Sequence, residues 1–308
     1  MNNKHMVQYG VWSDCCNKCD FCLRLNRKST TKKMKIQLLR DIRENLHHID
    51  WKNKFACGIS LLGGELFYIK DKEIQDEFLL LIDDIIEIVL KPGDQDCKFS
   101  TVTNGLYDPT FLYSVIDKIK EAVGIERIDV NFSYDLKYRY KTEKARLKAY
   151  NNINAFSERY NYSVGIQMIL TQHVINLWKA GEFDVNKFIN DNFPTCNLCF
   201  LYPHPIHTGI ELDDFNFNRR DFLKFMSYLK HANSNVYHGF INSVKNSGTF
   251  KYTGMRDKGS AFSNDQQPIL SDGKEVLNEK CGHSMLYTCY SDSDKCVLCD
   301  LNMIEGDL

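Results

Sequence analysis

Between residues 6 and 210 the chain alternates short apolar runs with longer segments whose apolar positions recur every three or four residues. The short runs are Met6–Trp12, Cys57–Leu62, Phe99–Val102, Ile128–Asp135, Tyr162–Thr171 and Leu198–Pro203, and each reads as a strand. In Lys35–Trp51, Ile36, Leu39, Ile42, Leu46 and Ile49 fall on one face of a helix. Further helices are expected over Ile74–Leu90, stopped by Lys91-Pro92-Gly93, then over Asp108–Val123, Thr142–Tyr160 and Arg220–Leu229. Strands that alternate with helices predict an α/β fold with a parallel sheet. Residues 234–280 are polar and rich in Asn, Ser, Asp and Gly, and no internal repeat or low-complexity tract is present.

Parallel α/β folds build their sites at the C-terminal ends of the strands, so the residues that follow each run matter most. The first run leads through Ser13-Asp14 into Cys15-Cys16-Asn17-Lys18-Cys19-Asp20-Phe21-Cys22. Cys15, Cys19 and Cys22 place three thiolates in one loop. Iron–sulfur clusters are held by cysteine thiolates, normally four for a four-iron cubane, and a loop with three leaves one metal position open. The same loop also fits half of a zinc site, and Cys16-Cys19-Cys22 is an evenly spaced alternative set. The second run ends in Gly63-Gly64-Glu65, where paired glycines allow close backbone approach and a carboxylate can accept from an ammonium group. The third ends in Thr103-Asn104-Gly105, in which Asn-Gly is a good turn former.

Composition narrows the class. A chain of 308 residues with 43% hydrophobic and 26% charged content can bury a large core as one α/β barrel. The formal net charge of −1 gives no overall pull toward nucleic acid or an anionic membrane. Met1-Asn2-Asn3-Lys4-His5 lacks the apolar run of a secretory signal, and no apolar segment is long enough to span a bilayer. Twelve cysteines without such a signal point to metal binding or catalysis in a cytoplasmic, oxygen-sensitive protein and away from a disulfide framework. A basic stretch (Arg24, Arg27, Lys28, Lys32, Lys33, Lys35, Arg40) reads as a solvated surface or as a guide for an anionic substrate or electron donor. Cys196 and Cys199 fall in a strand and read as buried structural thiols, with a metal or redox pair as the alternative.

The Cys15/Cys19/Cys22 spacing, with Phe21 before the last cysteine, resembles the signature of the radical S-adenosylmethionine (radical SAM) superfamily. The resemblance implies a partial (β/α)6 TIM-like barrel in which Cys15, Cys19 and Cys22 hold a 4Fe-4S cluster. Its free iron binds the amino and carboxylate groups of S-adenosyl-L-methionine (SAM). Reduction by a partner such as flavodoxin or ferredoxin then cleaves SAM to methionine and a 5′-deoxyadenosyl radical, which abstracts hydrogen from the substrate. Gly63, Gly64 and Glu65 resemble the GGE motif that contacts the SAM amino group, with Leu66 where many members have proline. Thr103 and Asn104 resemble the residues that close the third strand beneath SAM. Ser133 and Asp135 resemble the ribose contacts, their hydroxyl and carboxylate suiting ribose hydroxyls, with Leu136 in place of a common glycine. Phe21, Gln167 and Tyr202 complete the expected cofactor-binding set; no catalytic residue is assigned.

Near the end of the chain, Cys281, Cys289, Cys296 and Cys299 form a complete tetrathiolate set. It is either a structural zinc site or, by resemblance to SPASM and twitch extensions, a second 4Fe-4S cluster. The expected division is therefore a barrel over 1–233 and a small cysteine-rich extension over 234–308. Such extensions accompany peptide or protein modification, so a peptide or protein side chain is the leading substrate. A nucleotide or nucleic acid is the alternative, and a non-enzymatic zinc-binding module is the third possibility.

Overall fold

The computed structural model describes residues 5–19, 22, 29–49, 51, 56–201 and 217–249. Six strands, β1 (His5–Gly10), β2 (Ala56–Leu62), β3 (Lys98–Thr103), β4 (Ile128–Tyr134), β5 (Gly165–Ile169) and β6 (Asn197–Leu201), form one sheet in sequence order. Every neighbouring pair is parallel. The intervening helices are α1 (Lys32–Leu46), α2 (Lys72–Asp84), α3 (Thr110–Val123), α4 (Glu143–Tyr160), α5 (Gln172–Lys179) and α6 (Val185–Asn192). After β6 come α7 (Arg219–Ala232) and α8 (Ser234–Thr249). Parallel strands taken in order, with crossovers of one hand, place the helices on one face and curl the sheet around the other. This is the partial-barrel arrangement that the sequence predicts.

The two faces differ in chemistry. In β4, Ile128, Val130, Phe132 and Tyr134 are buried while Asp129, Asn131 and Ser133 between them are half-buried. Phe132 packs edge-on to Phe156 of α4 with centroids 5.4 Å apart, and Phe200 of β6 meets Phe225 of α7 at 6.1 Å. The opposite face is polar: Gln8, Ser60, Ser100 and Asp129 stand side by side across four strands. Ser133, Gln167 and Cys199 form a second row nearer the C-terminal ends.

Capping explains where helices start. Thr31 accepts from Met34 N at 3.3 Å, so α1 begins at Lys32, before the apolar periodicity is evident. Asp71, Thr142, Thr171, Asp184 and Asn218 cap α2, α4, α5, α6 and α7 in the same way. Each such cap contributes about 1 kcal/mol. Past α2 the chain widens into a π-helical turn at Ile85–Leu90. Buried Arg127 donates to Leu90 O at 2.7 Å and satisfies a carbonyl at its end.

Four elements differ from expectation. Helices α5 and α6 are eight residues each, too short to show a periodicity, and only their caps mark them. Helix α8 lies in the segment read as polar; it buries Val236, Tyr237, Phe240 and Ile241 and packs on β6 and α7. Strand β5 is shorter than Tyr162–Thr171 because Thr171 turns to cap α5. Among the described residues no helix is long and apolar enough to cross a membrane.

Candidate functional site

The stem of the cysteine loop is an extension of the β1–β2 pairing. Val11 N donates to Leu62 O, Gly64 N to Trp12 O and Glu65 N to Asp14 O, each at 2.7 Å. Residues 11–14 and 62–65 therefore run together beyond the strand ends. This approach requires glycine. A Cβ on Gly64 would stand 2.1 Å from Asp14 O and 2.4 Å from Ser13 O, and one on Gly63 would stand 2.3 Å from the Leu66 side chain. The close contact that Gly64 permits is thus with the stem of the cysteine loop, a partner that the motif alone does not reveal. Asp14 fastens the other end of the loop. It accepts from Ser29 Oγ, from Thr30 N at 3.1 Å and from Lys35 Nζ at 3.2 Å. Burial pushes Asp14 up, but the bonds from Ser29 and Lys35 outweigh it and hold its carboxyl below the usual range.

Nitrogen donors surround the sulfurs. Asn17 N and Asn104 Nδ2 each donate to Cys15 Sγ at 3.4 Å. Asn17 Nδ2 donates to Cys19 Sγ at 3.2 Å, and Arg139 Nη1 does so at 3.7 Å. A thiol hydrogen bond from Cys16, opposed by burial, brings Cys15 down to about 6, while Cys16, as the donor and partly buried, is pushed up. Burial raises Cys19 to about 11 against the positive charge of Arg139. Cys22 follows closely, its N–H donating to Cys19 O at 3.1 Å, and packs with Cys19, Tyr138 and Ile169.

Glu65 links the second and third strand ends. It is 1% exposed; Oε1 accepts from Thr103 Oγ1 at 2.9 Å and Oε2 from Asn104 N at 2.7 Å. Burial pushes its carboxyl up to about 8, against the hydrogen bonds from Asn104, Thr103 and Phe67 that favour the ionised form. Thr103 also shares a hydrogen bond with the buried Tyr107 hydroxyl at 2.7 Å. Asn104 Oδ1 accepts from Leu106 N at 2.8 Å, and Gly105 takes φ +67°, so the turn suits the Asn-Gly pair.

At the end of β4, Asp135 is buried and its Oδ1 accepts from the backbone N–H groups of Lys137, Tyr138 and Arg139. Ser133 lies beside Gln167, and its carbonyl accepts from the Tyr140 hydroxyl at 3.2 Å. Arg146 is held by Glu143 at 2.6 and 2.8 Å. Cys196 is buried beside Ser157 and Thr195, whereas Cys199 faces Gly239 of α8, so the two have separate surroundings. Burial raises both thiols. Much of the basic stretch is spent on carboxylates: Lys32 on Asp71 and Glu73, Lys35 on Asp14, and Arg40 on Glu77.

The strand ends thus bring together Cys15, Cys19, Cys22, Gly63, Gly64, Glu65, Thr103 and Asn104, with Asp135 reaching the loop through Arg139. Phe21, Tyr202, Cys281, Cys289, Cys296 and Cys299 lie outside the described residues. Asn17, Tyr107 and Arg139 were not indicated by any motif; only the position of Asn17 inside the cysteine loop offered a signal. Among the described residues no three His, Cys, Asp or Glu side chains converge on a single metal ion. A cubane sets its cysteines on separate irons and does not need such convergence. The donor chemistry fits it: four N–H groups aimed at Cys15 and Cys19 favour anionic sulfur.

The chain matches no protein-family model and no curated protein. Solved structures similar to it include native anSMEcpe with bound AdoMet, with 17% identity over 76% of this chain and a TM-score of 0.45. A hexahistidine-tagged form of anSMEcpe with bound AdoMet gives 16% identity over 75% of the chain and a TM-score of 0.49. SuiB of Streptococcus suis gives 14% identity over 72% of the chain and a TM-score of 0.38. The chain spans 63%, 62% and 56% of those three structures, so it is similar to part of each.

Proposed function

We propose that the chain is a radical SAM enzyme whose 4Fe-4S cluster is held by Cys15, Cys19 and Cys22. One observation carries this: the loop with the three-thiolate spacing is laced at its stem to Gly63-Gly64-Glu65 and bonded through Cys15 to Asn104, at neighbouring strand ends. When bound, the cluster supplies the electron that cleaves SAM and so generates the hydrogen-abstracting radical. The chain's own residues position and shield. Gly63 and Gly64 hold the loop stem against β2, and Glu65, fixed by Thr103 and Asn104, offers a buried carboxyl to the SAM ammonium. Ser133 and Asp135 would contact the SAM ribose, and Gln167, paired with Ser133 on the polar face, would face the cofactor.

The substrate we propose is a peptide or protein side chain, on the strength of Cys281, Cys289, Cys296 and Cys299 as a second-cluster extension over 234–308. Flavodoxin or ferredoxin serves as reductant. The test is anaerobic reconstitution with iron and sulfide, then dithionite and SAM. Formation of 5′-deoxyadenosine that is lost in Cys22→Ala supports the proposal. A chain that takes up iron but never cleaves SAM contradicts it.

A further inference from the structure

Two side chains that are neither proposed cluster ligands nor proposed SAM contacts converge on the middle cysteine. Asn17 spans the loop from within: its backbone N–H reaches Cys15 Sγ at 3.4 Å and its Nδ2 reaches Cys19 Sγ at 3.2 Å. The same Nδ2 donates to Arg139 O at 2.8 Å, so the cysteine loop and the loop after β4 are joined at this point. Arg139 arrives from 120 residues away and sets Nη1 3.7 Å from Cys19 Sγ. Its place is set by Asp135, whose Oδ1 gathers the N–H groups of residues 137–139. Cys19 itself is only 5% exposed.

Charge acts strongly at a buried sulfur, because little water is present to screen it. Cluster potentials depend on hydrogen bonds to the sulfurs, on net charge and on exposure. Reduction adds one electron to the cluster, breaks no bond and makes the sulfurs more negative. Amide donors and a guanidinium favour that product over the oxidised form. We propose that Asn17 and Arg139 are positioning residues that raise the reduction potential of the cluster held through Cys19, with Asp135 holding Arg139 in place. This rests on the cluster assignment above. It gives Asp135 a task within the protein that is separate from ribose binding, and it makes the cluster easier to reduce by a flavodoxin- or ferredoxin-type one-electron donor.

The test uses the full chain, reconstituted anaerobically as wild type, Asn17→Ala, Arg139→Gln and Arg139→Lys. Iron and sulfide are assayed first. The midpoint potential is then read by redox titration of the paramagnetic signal that responds to SAM, which separates this cluster from any second one. Arg139→Gln is expected to lower the potential by about a tenfold change in the reduction equilibrium, ~59 mV for one electron. Asn17→Ala should shift it the same way, and Arg139→Lys, which keeps the charge, should recover most of the loss. Variants with wild-type iron and an unchanged or raised potential overturn the tuning role and leave the cluster assignment standing. Loss of iron in both Arg139 variants assigns that residue to loop folding and also overturns it. If Asn17→Ala alone fails to load, the Arg139 pair decides. A wild-type chain that takes up no iron removes the cluster assignment and this inference together.

Discussion

The carboxamide of Asn104 donates to Cys15 Sγ across 3.4 Å although the two residues are 89 positions apart. One residue thereby ties the third strand end to the cysteine loop, while its backbone N–H holds Glu65 and its Oδ1 holds Leu106 N. Asn104→Ala removes the side-chain bonds and keeps the backbone one. Stability should fall by about 1–3 kcal/mol, read from the midpoint of urea unfolding. An unchanged midpoint would mean that water replaces the carboxamide at no cost.

Glu65 should couple SAM binding to proton release. Its folded pKa of about 8 lies above the ordinary 4.5. Between those values the folded chain retains a proton that the unfolded chain has lost, so stability contributed by this group falls as pH rises through that window. Glu65→Gln should flatten that part of the pH–stability curve. An ammonium placed beside the carboxyl favours its ionised form. Calorimetry of SAM binding at pH 7 in two buffers of different ionisation enthalpy should therefore show a proton released by wild type and none by Glu65→Gln. Equal heats in both buffers for wild type would exclude an ammonium contact at Glu65.

Gly64→Ala tests the stem. The added methyl meets Asp14 O at 2.1 Å and Ser13 O at 2.4 Å, both backbone atoms that cannot move without dislocating the cysteine loop. Overpacking of this kind costs on the order of 3 kcal/mol. The variant should unfold at lower denaturant and load less iron. Normal stability with normal iron would show that the two backbones do not approach so closely.

Phe78 is the packing support beneath the stem. It is fully buried, with its ring 6.1 Å from Trp12, 6.0 Å from Phe67 and 5.6 Å from Phe111. Phe78→Ala should cost about 3–5 kcal/mol, measured by equilibrium unfolding. A loss well under that range would indicate that the neighbouring aromatic rings collapse into the space.

Local patterns made much of this legible. Each strand of the sheet is an apolar run bounded by polar or glycine-rich residues, but that neighbours follow in chain order is not contained in the runs, because doubly wound parallel sheets order their strands differently. Helices α5 and α6 were hidden by their length, and α8 by the polar composition around its narrow stripe of Val236, Tyr237, Phe240 and Ile241. At the site, Cys15, Glu65 and Asn104 could be placed because each lies just past the end of a strand. Arg139 could not, because its position depends on the turn that Asp135 gathers through the backbone N–H groups after β4, and no local pattern marks which sulfur that turn faces. The glycines were legible as points of close approach, but which surface approaches them is a tertiary fact.

The most direct measurement is iron and acid-labile sulfide per chain after anaerobic reconstitution, for wild type, for Cys15/Cys19/Cys22→Ala and for Cys281/Cys289/Cys296/Cys299→Ala. The account predicts roughly four irons lost with the first set of replacements, and roughly four more lost with the second if the tail holds a cluster. Zinc in place of iron at Cys15, Cys19 and Cys22 would contradict the account.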